Sequence, residues 1–267
     1  MTQTLNNGQK MPVVGYGTYG MSEQDILDAI DQGYRHIDTA STYNNEHIVG
    51  AAIANTSVPR SELFITTKMS TGCQREYTVE AEFETSLKIL GTDYVDMYLL
   101  HWPVVDKYVD TWKTLEKIYA SGRAKSIGVS NCQIYHLEAI LEAASIVPAL
   151  NQIELHPYMA QEELLAFCAT HDIKVQGWSP LASGQSNLLA DPVITALAQK
   201  YGKSPAQVVL RWSTQRGASV IPRSVGVEQM QQNLASLNFE LDTADIASIT
   251  ALNKNLRTGP DPDNFNF

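Results

Sequence analysis

Val95-Asp96-Met97-Tyr98-Leu99-Leu100-His101 carries four consecutive hydrophobes and stops on a histidine. So uniform an apolar run suits a parallel strand covered on both faces. Comparable runs precede it at Val13–Tyr16, Tyr34–Ile37 and Leu63–Thr67. Others follow at Ser126–Val129, Ala149–Ile153, Lys174–Gly177 and Ser219–Ile221. Between the runs lie helical patterns. Val79, Phe83, Leu87 and Leu90 form one apolar stripe at helical spacing. Ser22 with Asp25, and Ser204 with Gln207, have the spacing of capping pairs, and Pro205 and Pro192 stand where a first helical turn tolerates proline. Eight strands alternating with helices predict an α/β fold, a closed (β/α)8 TIM barrel, which takes about 250 residues. The alternation excludes all-β and all-α architectures. No Pro-, Gly- and Ser-rich linker interrupts the chain, so residues 1–267 read as a single domain. Leu5-Asn6-Asn7-Gly8 predicts a short N-terminal β-hairpin with a tight Asn-Gly turn. Thr243–Leu252 predicts an extra C-terminal helix, followed by an irregular tail around Gly259–Asp263.

Composition narrows the function. The chain is 44% hydrophobic and 18% charged, as a packed globular protein is, and its net charge is −10. An acidic balance argues against a nucleic-acid partner, which needs a basic face. No apolar run approaches the roughly 20 residues of a membrane helix. Met1–Lys10 lacks the apolar centre of a signal peptide. Cys73, Cys132 and Cys168 are far apart and odd in number, which indicates neither a disulfide framework nor a metal site. The expectation is a cytoplasmic protein with no nucleic-acid or membrane partner.

Gly15-Tyr16-Gly17-Thr18-Tyr19-Gly20 matches the dinucleotide fingerprint G-x-G-x-x-G, with Asp38 at the customary distance beyond. A Rossmann helix begins inside that motif, whereas here the capping signal at Ser22 comes after Gly20. No tyrosine is followed four residues later by a lysine, so a short-chain dehydrogenase is disfavoured too. The glycines read instead as close backbone approach at a barrel mouth.

Barrel chemistry gathers where strands end. Those positions hold Asp38, Lys68, His101, Ser130, Asn131, Gln152, Trp178, Arg223 and Ser224, with Tyr43 five residues beyond Asp38. Singly, an aspartate there is a cap, a lysine is solvated and a histidine in an apolar run is a core residue. Together they have a purpose. Tyrosine, with a pKa near 10, is a poor acid until a lysine ammonium favours its phenolate. A buried lysine needs a carboxylate, which Asp38 supplies. A histidine beside them orients a carbonyl. The set suits protonation of a carbonyl oxygen while hydride reaches its carbon.

Asp38-Thr-Ala-x-x-Tyr43, Ile65-Thr-Thr-Lys68, Asp93–Pro103, Ile127-Gly-Val-Ser-Asn131, Asn151-Gln152-Ile-Glu and Ile221-Pro-Arg-Ser224 together resemble the aldo-keto reductase superfamily. The likeness spans essentially the whole chain and is strongest to the bacterial branch that includes 2,5-diketo-D-gluconate reductases. It implies NAD(P)H-dependent reduction of aldehydes, ketones or keto sugars to alcohols. Tyr43 would be the general acid, Lys68 would lower its pKa, Asp38 would hold Lys68, and His101 would orient the carbonyl. Ser130, Asn131 and Gln152 match positions that bind the carboxamide, and Trp178 matches the aromatic stacked on the nicotinamide. Ser179, Leu181, Arg223, Ser224, Gln229 and Asn233 complete the implied cofactor set. Tyr19, Ser70 and Trp102 would line the substrate pocket. The resemblance favours a monomer.

Two positions depart from the family pattern. Gln229 stands where many relatives carry an arginine that reaches the adenosine 2′-phosphate, so NADPH is expected to be preferred only weakly and NADH becomes usable. Ser70 replaces a pocket tryptophan, which predicts a wider, wetter site. A length of 267 residues is expected to leave no long C-terminal segment to enclose a large ligand, which predicts an open pocket. A non-enzymatic NADP-binding regulatory barrel would keep the same residues, as would the potassium-channel β subunits of the superfamily. A metal-dependent barrel hydrolase is disfavoured, because the six histidines show no HxH or HExxH spacing.

Overall fold

A computed structural model describes residues 1–184 and 186–267. Two short strands, β1 (Thr2–Thr4) and β2 (Lys10–Pro12), form an antiparallel hairpin. The barrel begins with β3 (Tyr16–Gly17), α1 (Glu23–Asp31), β4 (His36–Asp38), α2 (Glu46–Asn55) and β5 (Phe64–Met69). It continues with α3 (Thr71–Glu76), α4 (Val79–Leu90), β6 (Met97–Leu100), α5 (Tyr108–Ala120), β7 (Ile127–Ser130) and α6 (Ile134–Ala143). Next come β8 (Leu150–Glu154), α7 (Glu162–Thr170), β9 (Lys174–Trp178), α8 (Pro192–Tyr201), α9 (Pro205–Gln215) and β10 (Ala218–Val220). The last helices are α10 (Val227–Leu234) and α11 (Thr243–Thr250). Strands β3 to β10 form one parallel sheet in sequential order.

The sheet closes on itself. Gly15 N–H donates to Val220 O at 2.8 Å, Val220 N–H to Val13 O at 2.9 Å, and Gly17 N–H to Pro222 O at 3.3 Å. Glycines are needed at this seam. A Cβ on Gly15 would stand 2.8 Å from His36 Nδ1, and one on Gly17 2.9 Å from Ile221 O. This is the close approach expected of the apparent fingerprint, and α1 starts only at Glu23, capped by Ser22. The closing contacts use Val13–Gly15, so the ladder strand β3 lies slightly later than the apolar run predicts.

The hairpin seals the barrel floor. Leu5 and Met11 pack on Phe64, Met97, Leu99, Ala149 and Leu150. Asn6 Nδ2 donates to Pro148 O at 3.1 Å and Asn7 Nδ2 to Ser126 Oγ at 3.0 Å, fixing the loop to the strand entries. Leu5 N–H to Gln9 O at 2.8 Å closes a three-residue loop, one longer than the expected tight turn, with Gly8 at φ +86°. Outside the sheet the helices bury the main core, with Trp112, Trp212, Tyr98, Ile37 and Ile65 among its members. The stripe Val79, Phe83, Leu87 and Leu90 is buried as its spacing requires. Helix α3 has no counterpart in the sequence pattern; Ser70 opens it by accepting from Cys73 N–H at 3.2 Å. No helix among the described residues is long and apolar enough to cross a membrane.

Candidate active site

Lys68 is the largest charged side chain sealed inside the barrel: its exposure is 0% and that of Asp38 is 1%. Its strand, β5, is buried along its whole length, so the ammonium must be met by protein acceptors. Nζ donates to Asp38 Oδ1 at 2.5 Å and to Thr39 O at 2.7 Å. Asp38 Oδ2 in turn accepts from Gln152 Nε2 at 2.7 Å, and Gln152 continues to Gln176 Oε1 at 2.7 Å. Asp38 holds Lys68 well enough that the lysine pKa ends above its ordinary value: burial pulls it down, while Asp38 and Tyr43 raise it.

Tyr43 sits on a single helical turn, Ser41–Tyr43, just past β4, and its ring centre lies 5.0 Å from Lys68 Nζ. Tyr19 and His101 abut the same ring edge-to-face, at 5.1 and 5.7 Å between centres. The pKa of Tyr43 is raised, first by burial; Lys68 lowers it but does not prevail against burial and Asp38 together. The sequence-based expectation of a net lowering is therefore corrected. Lys68 moderates an upward shift, and the phenol keeps its proton at neutral pH. His101 is driven well below its usual pKa by burial and then by Lys68, so its imidazole is neutral. Its Nδ1 lies 3.3 Å from Thr42 Oγ1. With Thr42 donating, Nε2 carries the remaining hydrogen and is a hydrogen-bond donor.

These groups open into a cleft of about 940 Å³ at the C-terminal ends of the strands. The size lies towards the upper end for cofactor and small-molecule sites, roughly 300–1,000 Å³. Asp38, Tyr43, His101, Ser130, Asn131, Gln152 and Trp178 line it, as do Tyr19, Trp102, Ser179, Leu181, Arg223, Ser224 and Gln229. Asn131, at φ +59°, donates from Nδ2 to His101 O at 3.0 Å and accepts from Trp178 Nε1 at 2.8 Å, so it locks the indole to the histidine strand end. Arg223 is exposed and donates to Tyr19 O at 3.0 Å, pinning one cleft wall to the other across the barrel seam.

Two assigned residues lie elsewhere. Asn233 is buried behind the wall and does not reach the cleft surface. Ser70 faces away from the cleft, because its hydroxyl caps α3 and donates to Glu82 Oε2 at 2.6 Å. The predicted wider, wetter pocket does not follow from it. The short tail also reaches further than its length implied. Pro260 and Phe267 line the cleft, and Phe265 and Phe267 pack on Trp102 at 5.3 Å between ring centres. Glu154, at the end of β8, anchors the tail by accepting from Thr258 N–H and Oγ1 at 2.6 Å each. Beyond this anchor Gly259 lies against Trp178, where a Cβ would fall 2.4 Å from Cη2. Glycine-proline at 259–260 was visible as irregular chain, but nothing in it pointed to an anchor a hundred residues earlier. Among the described residues no cluster of His, Cys, Asp and Glu is arranged to hold a metal.

A closed barrel with a buried Asp–Lys pair beneath a tyrosine and a neutral histidine defines a reductase-like site. The sequence model of the Aldo/keto reductase family matches residues 13–254, and the chain belongs to that family. It is 45% identical over 271 residues to a glyoxal reductase of Bacillus subtilis, covering 100% of this chain and 98% of that one. It is also 45% identical over 267 residues to methylglyoxal reductase DkgA of Escherichia coli, covering 98% and 96%. An aldo-keto reductase structure from a Medee basin deep-sea metagenome library superposes with a TM-score of 0.96 at 36% identity, covering 99% of this chain and 100% of that one. The chain is an oxidoreductase that reduces carbonyl groups to alcohols. Enzymes of this family use NAD(P)H.

Proposed function

We propose that the enzyme reduces small aldehydes, ketones and dicarbonyls, with Tyr43 as the general acid. The observation that carries this reading is Lys68 Nζ, fully buried between Asp38 Oδ1 and the Tyr43 ring at the floor of the cleft. Neutral His101 donates a hydrogen bond to the substrate oxygen and fixes it beside the phenol. Tyr43 Oη then gives up its proton as charge builds on that oxygen, and the Lys68 ammonium, held by Asp38, stabilises the phenolate left behind. Relatives named for glyoxal and methylglyoxal support small dicarbonyls as the first substrates to try. Trp102 and Phe267 supply the apolar wall on that side.

The cleft residues fit a dinucleotide. Ser224 Oγ is buried without a hydrogen-bond partner, and Arg223, the residue before it, is exposed on the cleft rim with a guanidinium suited to a phosphate. Ser130, Asn131 and Gln152 would hold the carboxamide, Trp178 the nicotinamide ring, and Ser179, Leu181 and Gln229 the remainder. When bound, NAD(P)H supplies the hydride. Gln229 brings no charge to a 2′-phosphate, so NADPH leads NADH by a modest margin. The same reading makes the chain one domain over residues 1–267, a cytoplasmic monomer with no nucleic-acid or membrane partner; the net charge of −10 supports the absence of a nucleic-acid partner.

Following NADPH loss with a panel of aldehydes and dicarbonyls tests the function. Wild type is expected to turn over and Tyr43→Phe to lose nearly all activity; equal rates would overturn the acid assignment. A kcat/KM ratio of NADPH over NADH in the thousands would overturn the modest preference.

A further inference from the structure

We propose that Glu82 is a positioning residue for carbonyl reduction, holding the turn that carries Tyr43 against the strand that carries Lys68. The proposal rests on the reading of Tyr43 as acid and Lys68 as its partner.

Helix α4 lies outside the cleft and lends two polar residues to its support. Glu82 and Ser86 are four residues apart, hence on one face. Ser86 Oγ donates to Glu46 Oε2 at 3.2 Å, and Glu46 Oε1 accepts from Thr67 Oγ1 at 2.6 Å, which ties α4 and α2 to β5 one residue before Lys68. Glu82 makes the upper tie. Its Oε1 accepts from Ser41 Oγ at 2.6 Å and from Ser70 N–H at 2.6 Å, and its Oε2 accepts from Ser70 Oγ at 2.6 Å. Ser41 opens the turn that ends on Tyr43, and Ser70 follows Lys68 by two residues. One carboxylate therefore spans the two segments whose side chains meet above Asp38.

Three short bonds to a carboxylate are the charge-assisted kind, stiffer than neutral ones. Glu82 itself lines no part of the cleft and cannot act on substrate directly. Its effect reaches the chemistry through the spacing of phenol and ammonium. Displacements of about 1 Å in such geometry cost on the order of 100-fold in rate. The serine at position 70 has its use here: it exchanges a wall side chain for a link between α4, α3 and β5.

The test compares Glu82→Ala, Glu82→Gln, Tyr43→Phe and the double variant Glu82→Ala/Tyr43→Phe in the full-length enzyme. Readouts are kcat, its pH profile, carbonyl KM and NADPH Kd from fluorescence quenching. Glu82→Ala is expected to lower kcat by about 10- to 100-fold and to shift the alkaline limb of its pH profile, with NADPH Kd unchanged within about twofold. Glu82→Gln keeps an acceptor for Ser41 and Ser70 and restores most of the rate. In the Tyr43→Phe background, Glu82→Ala adds no further loss. Should Glu82→Ala not fold, Ser41→Ala breaks one of the three bonds and is read the same way. Wild-type kcat and pH profile in the Glu82→Ala variant overturn the inference, as does an equal loss in the Tyr43→Phe background. A fully active Tyr43→Phe overturns the acid assignment and the inference with it. An inactive Tyr43→Phe beside an unaffected Glu82→Ala overturns the inference alone.

Discussion

In the proposed mechanism the ionisable groups at the cleft floor set the pH behaviour of catalysis. The raised pKa of Tyr43 keeps the proposed acid protonated through neutral pH, and the depressed pKa of His101 keeps the imidazole neutral even within its ordinary titration range. With neither group titrating near neutrality, kcat/KM for the carbonyl is expected to be flat between about pH 7 and pH 9, falling only in stronger alkali. A limb near pH 6.5 to 7 that disappears in a His101 variant would contradict this assignment. Replacing Lys68 by methionine removes the charge that stabilises the phenolate and leaves Asp38 buried without its cation. A loss of about 10²- to 10⁴-fold in kcat is expected, together with lowered thermal stability. At this scale the sequence was informative. Strand-end position alone brought Asp38, Lys68 and His101 together, and loop length added Tyr43. It could not show that burial outweighs Lys68 at the phenol, because that balance depends on how deeply the ring is set. Nor could it show that Ser70 turns to α3 and Glu82, since a serine after a strand is equally compatible with a wall and a cap.

Whole elements divide the labour between the two ends of the barrel. The hairpin β1–β2 packs only on the floor, so Met11→Ala should cost about 2–5 kcal/mol of unfolding free energy, measured by urea titration, while leaving kcat/KM unchanged. At the opposite end the tail bears on Trp178. Gly259→Ala places a methyl group where the indole now lies, so the ring must turn or the tail must lift. The expected outcome is a several-fold weaker NADPH Kd with little change in Tm; an unaltered Kd would detach the tail from cofactor binding. The hairpin was legible because Asn-Gly is a local signal that needs no partner. Helix α3 was not, since six residues are too few to show a period. The docking of the tail depends on Glu154, 104 residues away, and no local pattern reports a contact of that separation.

Across the molecule, buried histidines make stability sensitive to acid. His36 is fully buried, and desolvation lowers its pKa to about 4; burial does the same to His136. A folded-state value below the unfolded one means that the unfolded chain binds more protons between about pH 6.5 and pH 4. Stability is complete above that window and lost as the pH falls through it. For His36 alone the loss is of order 3 kcal/mol, since each tenfold weakening of proton affinity on folding corresponds to about 1.4 kcal/mol. Unfolding free energies at pH 7 and pH 4.5 measure it, and His36→Gln should flatten the difference. An identical slope in that variant would assign the acid sensitivity to other groups.

The barrel seam couples folding order to ligand recognition. Tyr19 belongs to the first strand's loop and Arg223 to the last strand's, yet their hydrogen bond spans 204 residues of chain. During synthesis Asp38, Tyr43, Lys68 and His101 emerge well before Arg223 and Ser224, the residues proposed to meet the cofactor phosphate. If those residues bind as proposed, dinucleotide affinity is acquired late, when β10 docks on Val13–Gly15. A cofactor bound there would bridge the two ends of the barrel sheet, so its presence is expected to slow the opening through which proteases reach the interior.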